Sequence, residues 1–300
     1  MSANGAVSST QPPWLKIAPV MFLLLWASGF VFLKLGLRYA DPLTFLALRY
    51  LCVVGLLIVP WLWFRPTLPR SPSVWFHLAM VGLLLQSGYF SFTYLSLKTG
   101  MSPGVIALIT SQQPILVGLL APVIAGERVD AVRWAGLALG VFGAIIVILS
   151  QATLHIESPL ALLFGILALL SLTGGTLWEK RFGTAVHPLT ANLVQYATGL
   201  VVTAPLAFAI EPMRIQWTPQ LFGSLAYLVI GNSIIAISLL LAMIRHGEAS
   251  RVSALFFLVP PATALIAFVV LHETIPLMAW PGMLLAAAGL YCVMHVRRTT

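Results

Sequence analysis

Charge is what this sequence has least of. Of 300 residues, 16 are Lys or Arg and 8 are Asp or Glu, so 8% carry a formal charge while 60% are apolar; soluble globular chains run at about 25% and about 45–50%. That excludes a protein whose main solvent is water. Cysteine is nearly absent too: Cys52 and Cys292 fall inside apolar stretches at no metal-binding or redox spacing and read as small buried hydrophobes. There is no GxxxxGK[ST] stretch, so ATP hydrolysis would need another chain. The six His residues, His77, His155, His187, His246, His272 and His295, mark separate loops or helix ends without an H-E-x-x-H or other pairing. With neither metal ligands nor a nucleophile and base at workable spacing, the chain is expected not to be an enzyme and to need no cofactor. The net charge of +8 is scattered singly and in pairs rather than along one face, which argues against a nucleic-acid partner.

The charges that are present divide the chain. Between them lie ten long apolar runs: 17–33, 50–64, 71–97, 99–126, 134–156, 158–178, 182–210, 215–244, 252–272 and 274–296. A bilayer core about 30 Å thick takes about 20 helical residues. Nine runs have 17 or more, and the 15-residue run extends back through Arg49 to Pro42. The fold class expected is therefore all-α integral membrane with ten transmembrane helices, whose partner is the lipid bilayer. Residues 1–16 read as a cytoplasmic tail. The first span is too long for a cleaved signal peptide and lacks an A-x-A-like exit.

Ten spans put both termini on one side, and Lys and Arg sort accordingly. Lys16, Arg65, Arg70, Arg128, Arg133, Lys180, Arg181, Arg245, Arg251, Arg297 and Arg298 fall on the side of the termini, against Lys34, Arg38, Lys98 and Arg214 on the other. The positive-inside rule then places both termini in the cytoplasm.

Slid against itself, the chain matches at an offset of 146 residues. PLTFLALRY at 42–50 meets PLTANLVQY at 188–196, Gln86-Ser87 meets Asn232-Ser233, Pro114 meets Pro260, Glu127 meets Glu273, Gly136 meets Gly282 and Gly143 meets Gly289. The units are 17–150 and 151–296. Five helices is an odd number, so the second copy enters the membrane from the opposite side, giving two inverted repeats with a site expected at their interface.

These features resemble the drug/metabolite transporter superfamily. The WASGF stretch at 26–30 and the Pro-Gly-Glu pattern closing each fourth helix, with Gly126-Glu127 and His272-Glu273, look like its EamA-type ten-helix exporters. Closest among these are the bacterial aromatic amino acid exporters. The resemblance implies a multi-pass inner-membrane protein that exports aromatic and other neutral amino acids by alternating access, with no obligatory protein partner. It also implies a cavity lined by helices 1, 3, 4, 6, 8 and 9, with helices 5 and 10 behind. The alternative is an exporter of drugs or other small metabolites, with or without proton coupling.

Candidate site residues are the polar, aromatic and helix-breaking ones at mid-membrane depth. Gln86 and the Asn232-Ser233 pair offer amides and hydroxyls matched to a zwitterion, or else hydrogen bonds between helices. Counting by threes and fours from Gln86 places Tyr89 or Phe90 and Thr93 on one face. Trp26 and Trp178 lie deeper than most of the nine Trp residues, and Gln112 and Gln113 precede Pro114. Pro114, Pro260 and Pro261 are expected to kink their helices, and Gly29, Gly174 and Gly175 to act as hinges or close-packing points. Glu179, Lys180 and Arg181 form either a cytoplasmic gate or a solvated helix end. No Asp or Glu lies mid-run, which favours facilitated export over proton antiport. Arg49, the one charge well inside a span, is expected at the periphery of the cavity, snorkelling or paired with Glu or backbone carbonyls.

Overall fold

Proline starts most of the helices, because its missing N–H costs nothing in the first turn. In the computed structural model, which describes residues 17–125, 131–152, 158–183, 186–246, 255–272 and 276–295, α1 is Ala18–Gly36, α2 Pro42–Phe64 and α3 Pro72–Lys98. Then come α4 (Pro103–Thr110), α5 (Gln113–Ala125), α6 (Ala131–Ala152), α7 (Pro159–Phe182) and α8 (Pro188–Ile210). The chain ends with α9 (Pro219–Ala226, continuing through Tyr227–Ala236 and Ile237–His246), α10 (Val259–Leu271) and α11 (Ala279–His295). Ser102, Ser158 and Thr218 cap α4, α7 and α9 by accepting from the N–H groups of Val105, Leu160 and Leu221, each at 3.2 Å. The expected tail and the Glu127 and Glu273 positions lie outside the described residues.

Large apolar side chains point outward as well as inward. Trp63 is 82% exposed and Leu284 70%, an arrangement tolerated against lipid rather than water. Among the described residues, seven helices are long and apolar enough to cross a bilayer. The fifth, ninth and tenth expected spans are present as shorter apolar stretches, Trp134–Gly143, Val259–Leu271 and Ala279–Gly289. The fourth span breaks at Ser111 and Gln112, so Pro114 sits in the first turn of α5. The ninth opens with a tight turn at Phe256–Leu258, so Pro260 and Pro261 sit in the first turn of α10.

α6 lies along α11, α2 along α8, α1 against α9 and α10, and α3 against α7 and α8. The α6–α11 contact is reciprocal at backbone level. A Cβ added to Gly143 would stand 2.5 Å from the Gly282 carbonyl oxygen and 2.6 Å from the Ala286 nitrogen, and one added to Gly289 would meet the Gly136 oxygen and the Gly140 nitrogen at the same two distances. Only glycine lets the two helices come this close. Elsewhere, loop backbone before α2 joins loop backbone after α8: Asp41 N–H donates to Arg214 O at 3.1 Å, and Gln216 N–H to Tyr39 O at 2.7 Å. Beside this bridge, the Glu211 carboxylate caps α2, accepting from the N–H groups of Leu43 and Thr44 at 2.8 Å each and from Thr44 Oγ1 at 2.9 Å.

Candidate functional site

Two helices change pitch where they reach the centre. α3 is π-helical over Leu83–Tyr89 and α9 over Tyr227–Ala236, and these turns hold the two duplicated pairs, Gln86-Ser87 and Asn232-Ser233. A π turn takes more residues than an α turn and leaves carbonyls poorly paired. Two tyrosines 146 residues apart supply the missing donors: Tyr50 Oη donates to Gln86 O at 2.5 Å and Tyr196 Oη to Ser233 O at 3.5 Å. Their rings meet edge to face with centroids 5.6 Å apart.

Arg49, one residue before Tyr50 on α2, is turned inward and is only 1% exposed. Its Nη2 donates to Asn232 Oδ1 at 2.8 Å and Ser233 Oγ at 2.8 Å, its Nε to Ser233 Oγ at 3.0 Å, and its Nη1 to Tyr94 Oη at 3.2 Å. The guanidinium carbon stands 4.7 Å from the centre of the Phe90 ring, a cation–π distance. Asn232 is held in turn by donating through Nδ2 to Leu25 O at 3.3 Å. Gly29 makes this approach of α9 to α1 feasible, since a Cβ there would lie 2.6 Å from Asn232 Nδ2.

Around this group is a small cavity of about 20 Å³, lined by Trp26, Gly29, Phe30 and Leu33 of α1, Arg49 of α2, Tyr89, Phe90 and Thr93 of α3, and Leu228 and Asn232 of α9. That is room for about one water. The lining therefore comes from spans one, two, three and eight. Among the described residues, spans four, six and nine, which the resemblance also implied, do not contribute to it.

Of the residues singled out in the sequence, Trp26, Tyr89, Phe90, Asn232 and Gly29 meet at this cavity. Ser233 sits behind it as an acceptor for Arg49. Gln86 is turned away: the π turn shifts it off the face that carries Tyr89 and Thr93, and its Cβ packs on Gly199 of α8. Gln112, in the break between α4 and α5, bonds back to α4, Nε2 to Leu108 O at 3.0 Å, and Gln113 ties α5 to α7 through Thr176 Oγ1 at 2.9 Å. Trp178 belongs to an aromatic cluster at the other end of α3, 5.9 Å from His77 and 4.8 Å from Phe182 between ring centroids. Gly174 and Gly175 face Leu84 and Leu85 of α3.

The placement of Arg49 corrects the expectation of a peripheral, snorkelling residue. Its side chain runs inward, and every partner is a neutral oxygen or an aromatic ring. Of the three described acids, Asp41 and Glu211 accept from the loop and from the start of α2, and Glu179 ends α7. The signal was in the sequence, since an ionisable residue inside a span marks a functional site by default. Among the described residues, no three His, Cys, Asp or Glu side chains converge as metal ligands would.

Known proteins accord with this architecture. An uncharacterised transporter of Archaeoglobus fulgidus is 27% identical, with 90% of this chain and 93% of that protein covered. Proteins described as a probable amino-acid metabolite efflux pump are 25% identical in Salmonella typhimurium, covering 93% of this chain and 95% of that one, and 24% in Escherichia coli, covering 92% and 93%. One solved crystal structure superposes with a TM-score of 0.69 at 18% identity, over 94% of this chain and 96% of the other, a likeness of fold alone. The EamA-like transporter family matches residues 16–149 and 159–295, and this chain belongs to that family as a multi-pass membrane transporter rather than an enzyme.

Proposed function

We propose that the protein exports aromatic and other neutral amino acids across the inner membrane by alternating access, driven by the substrate gradient. The observation that carries the proposal is the central cavity, where a guanidinium, an amide and hydroxyls meet Trp26, Phe30, Tyr89 and Phe90 among apolar helices. Such a lining suits a ligand with a polar head and a flat apolar side chain. The names of the Salmonella and Escherichia relatives support amino-acid metabolites as cargo.

The two stretches 17–150 and 151–296 are proposed as inverted five-helix repeats with both termini cytoplasmic. The reciprocal Gly143 and Gly289 contacts, the paired Tyr50 and Tyr196, and the two π turns all obey the offset of 146 and support a two-fold relation. A two-fold pair offers two near-equivalent arrangements, one open to each side. No carboxylate is among the described cavity-lining residues, which favours transport without proton coupling.

Counterflow in proteoliposomes tests the proposal. External unlabelled phenylalanine is expected to accelerate efflux of labelled phenylalanine, and collapsing the pH gradient at a fixed substrate gradient is expected to leave the initial rate unchanged. Absence of stimulation across the twenty amino acids would sink the carrier; a rate that follows the pH gradient would sink uncoupled export.

A further inference from the structure

A buried cation is costly unless an anion compensates it, and Arg49 is 1% exposed with only neutral partners among the described residues. Asn232, Ser233 and Tyr94 orient the guanidinium; none neutralises it. Three of its nitrogens offer five N–H groups, and the four bonds formed engage Nη1 once, through Tyr94. The same side chain lines the cavity. The structure thus holds an oriented, desolvated positive charge at the wall of a space between apolar helices, with no carboxylate among the described lining residues to pair with it.

We infer that Arg49 is the receptor for a carboxylate on the transported molecule, and that the site reads the negative end of its cargo by charge and leaves the ammonium end unread. One guanidinium compensates one negative charge, so a monocarboxylate fits and a phosphate dianion does not. The aromatic walls take the apolar remainder. As the cavity is about 20 Å³, the apolar side chain of the cargo enters only when the lining helices separate, and Arg49, bonded from α2 to α9 through Asn232 and Ser233, already joins two of them. This inference rests on the exporter proposal for its physiological direction, but the binding claim can be tested by itself.

The experiment uses the full-length protein, purified for ligand-dependent thermal stabilisation and reconstituted for counterflow, with four probes: L-phenylalanine, 3-phenylpropanoate, L-phenylalaninamide and 2-phenylethyl phosphate. Phenylalanine and 3-phenylpropanoate are expected to act at similar concentrations, and the amide and the phosphate to need about tenfold more or worse. In Arg49→Gln the advantage of the two carboxylates over the amide is expected to vanish, and in Arg49→Lys to survive in part. If Arg49→Gln does not fold, the wild-type ranking and Arg49→Lys decide. An amide as effective as phenylalanine, a preferred phosphate, or full discrimination retained by Arg49→Gln would overturn the assignment. Carboxylate-selective stabilisation without counterflow would remove the carrier and leave the site; counterflow without carboxylate selectivity would do the reverse.

Discussion

Replacing Gly143 or Gly289 by alanine tests the close packing of α6 on α11. In each case the new Cβ falls 2.5 Å from a carbonyl oxygen of the facing helix, where ordinary contact begins at 3.4 Å. The obstruction is backbone, so no side chain can swing aside; α6 and α11 must part by about 0.9 Å, the difference between those two distances. Overpacking of this kind costs about 1–3 kcal/mol, which is about a fivefold to 150-fold shift in the folding equilibrium. Reversible unfolding by denaturing detergent titrated into mild micelles, followed by tryptophan fluorescence, measures it. The two variants are expected to lose the same amount, because each meets the same pair of atoms at the same distances. The double variant should lose less than the sum, since helices already pushed apart by one methyl have made room for the other. Gly55→Ala is the control: nothing lies within 4 Å of its new Cβ, and alanine should leave stability unchanged or raise it by up to about 1 kcal/mol through helix propensity. The reasoning fails if either single variant stays within about 0.5 kcal/mol of wild type, or if the two differ by more than about 1 kcal/mol.

Gly29→Ala should displace the Asn232 amide from Arg49; loss of one hydrogen bond to a charged group, about 1.5 kcal/mol or more, should raise the half-maximal substrate concentration in counterflow about tenfold. Trp26→Ala removes a cavity wall and should raise that concentration roughly fivefold, for about 1 kcal/mol of aromatic contact. Trp178→Ala empties a cluster away from the cavity, so it should lower stability in the detergent titration and leave the half-maximal concentration unchanged; the opposite pattern would move the site to that end of α3. Glu211→Ala uncaps α2 and should cost about 1–3 kcal/mol in the same titration, with Glu211→Gln losing less because one amide oxygen still accepts.

Much of the architecture could be read directly from the chain. The apolar runs, the prolines that open α2, α3, α4, α7, α8 and α9, and the 146-residue register that pairs Tyr50 with Tyr196 are local properties, visible wherever residues are counted. Depth in the membrane also follows from counting, which is why Trp26, Tyr89, Phe90 and Asn232 could be named in advance and are found together at the cavity. Direction around a helix does not follow. By α-helical spacing Gln86 falls on the face of Thr93, but the π turn between them turns it towards α8. Trp178 has the right depth on α7, a helix that does not line the cavity among the described residues.

Arg49 marks the boundary most clearly. Its sequence position established that a charge lies within a span. Whether it reached outward to the interface or inward to the centre was decided by how α2 packs on α8 and α9. In a soluble helix the polar face announces which side meets water, but here lipid and protein core are both apolar, so the pattern along α2 is nearly the same on every side. Only the assembled helices, which bring Asn232, Ser233, Tyr94 and Phe90 around one guanidinium, determine which way it points.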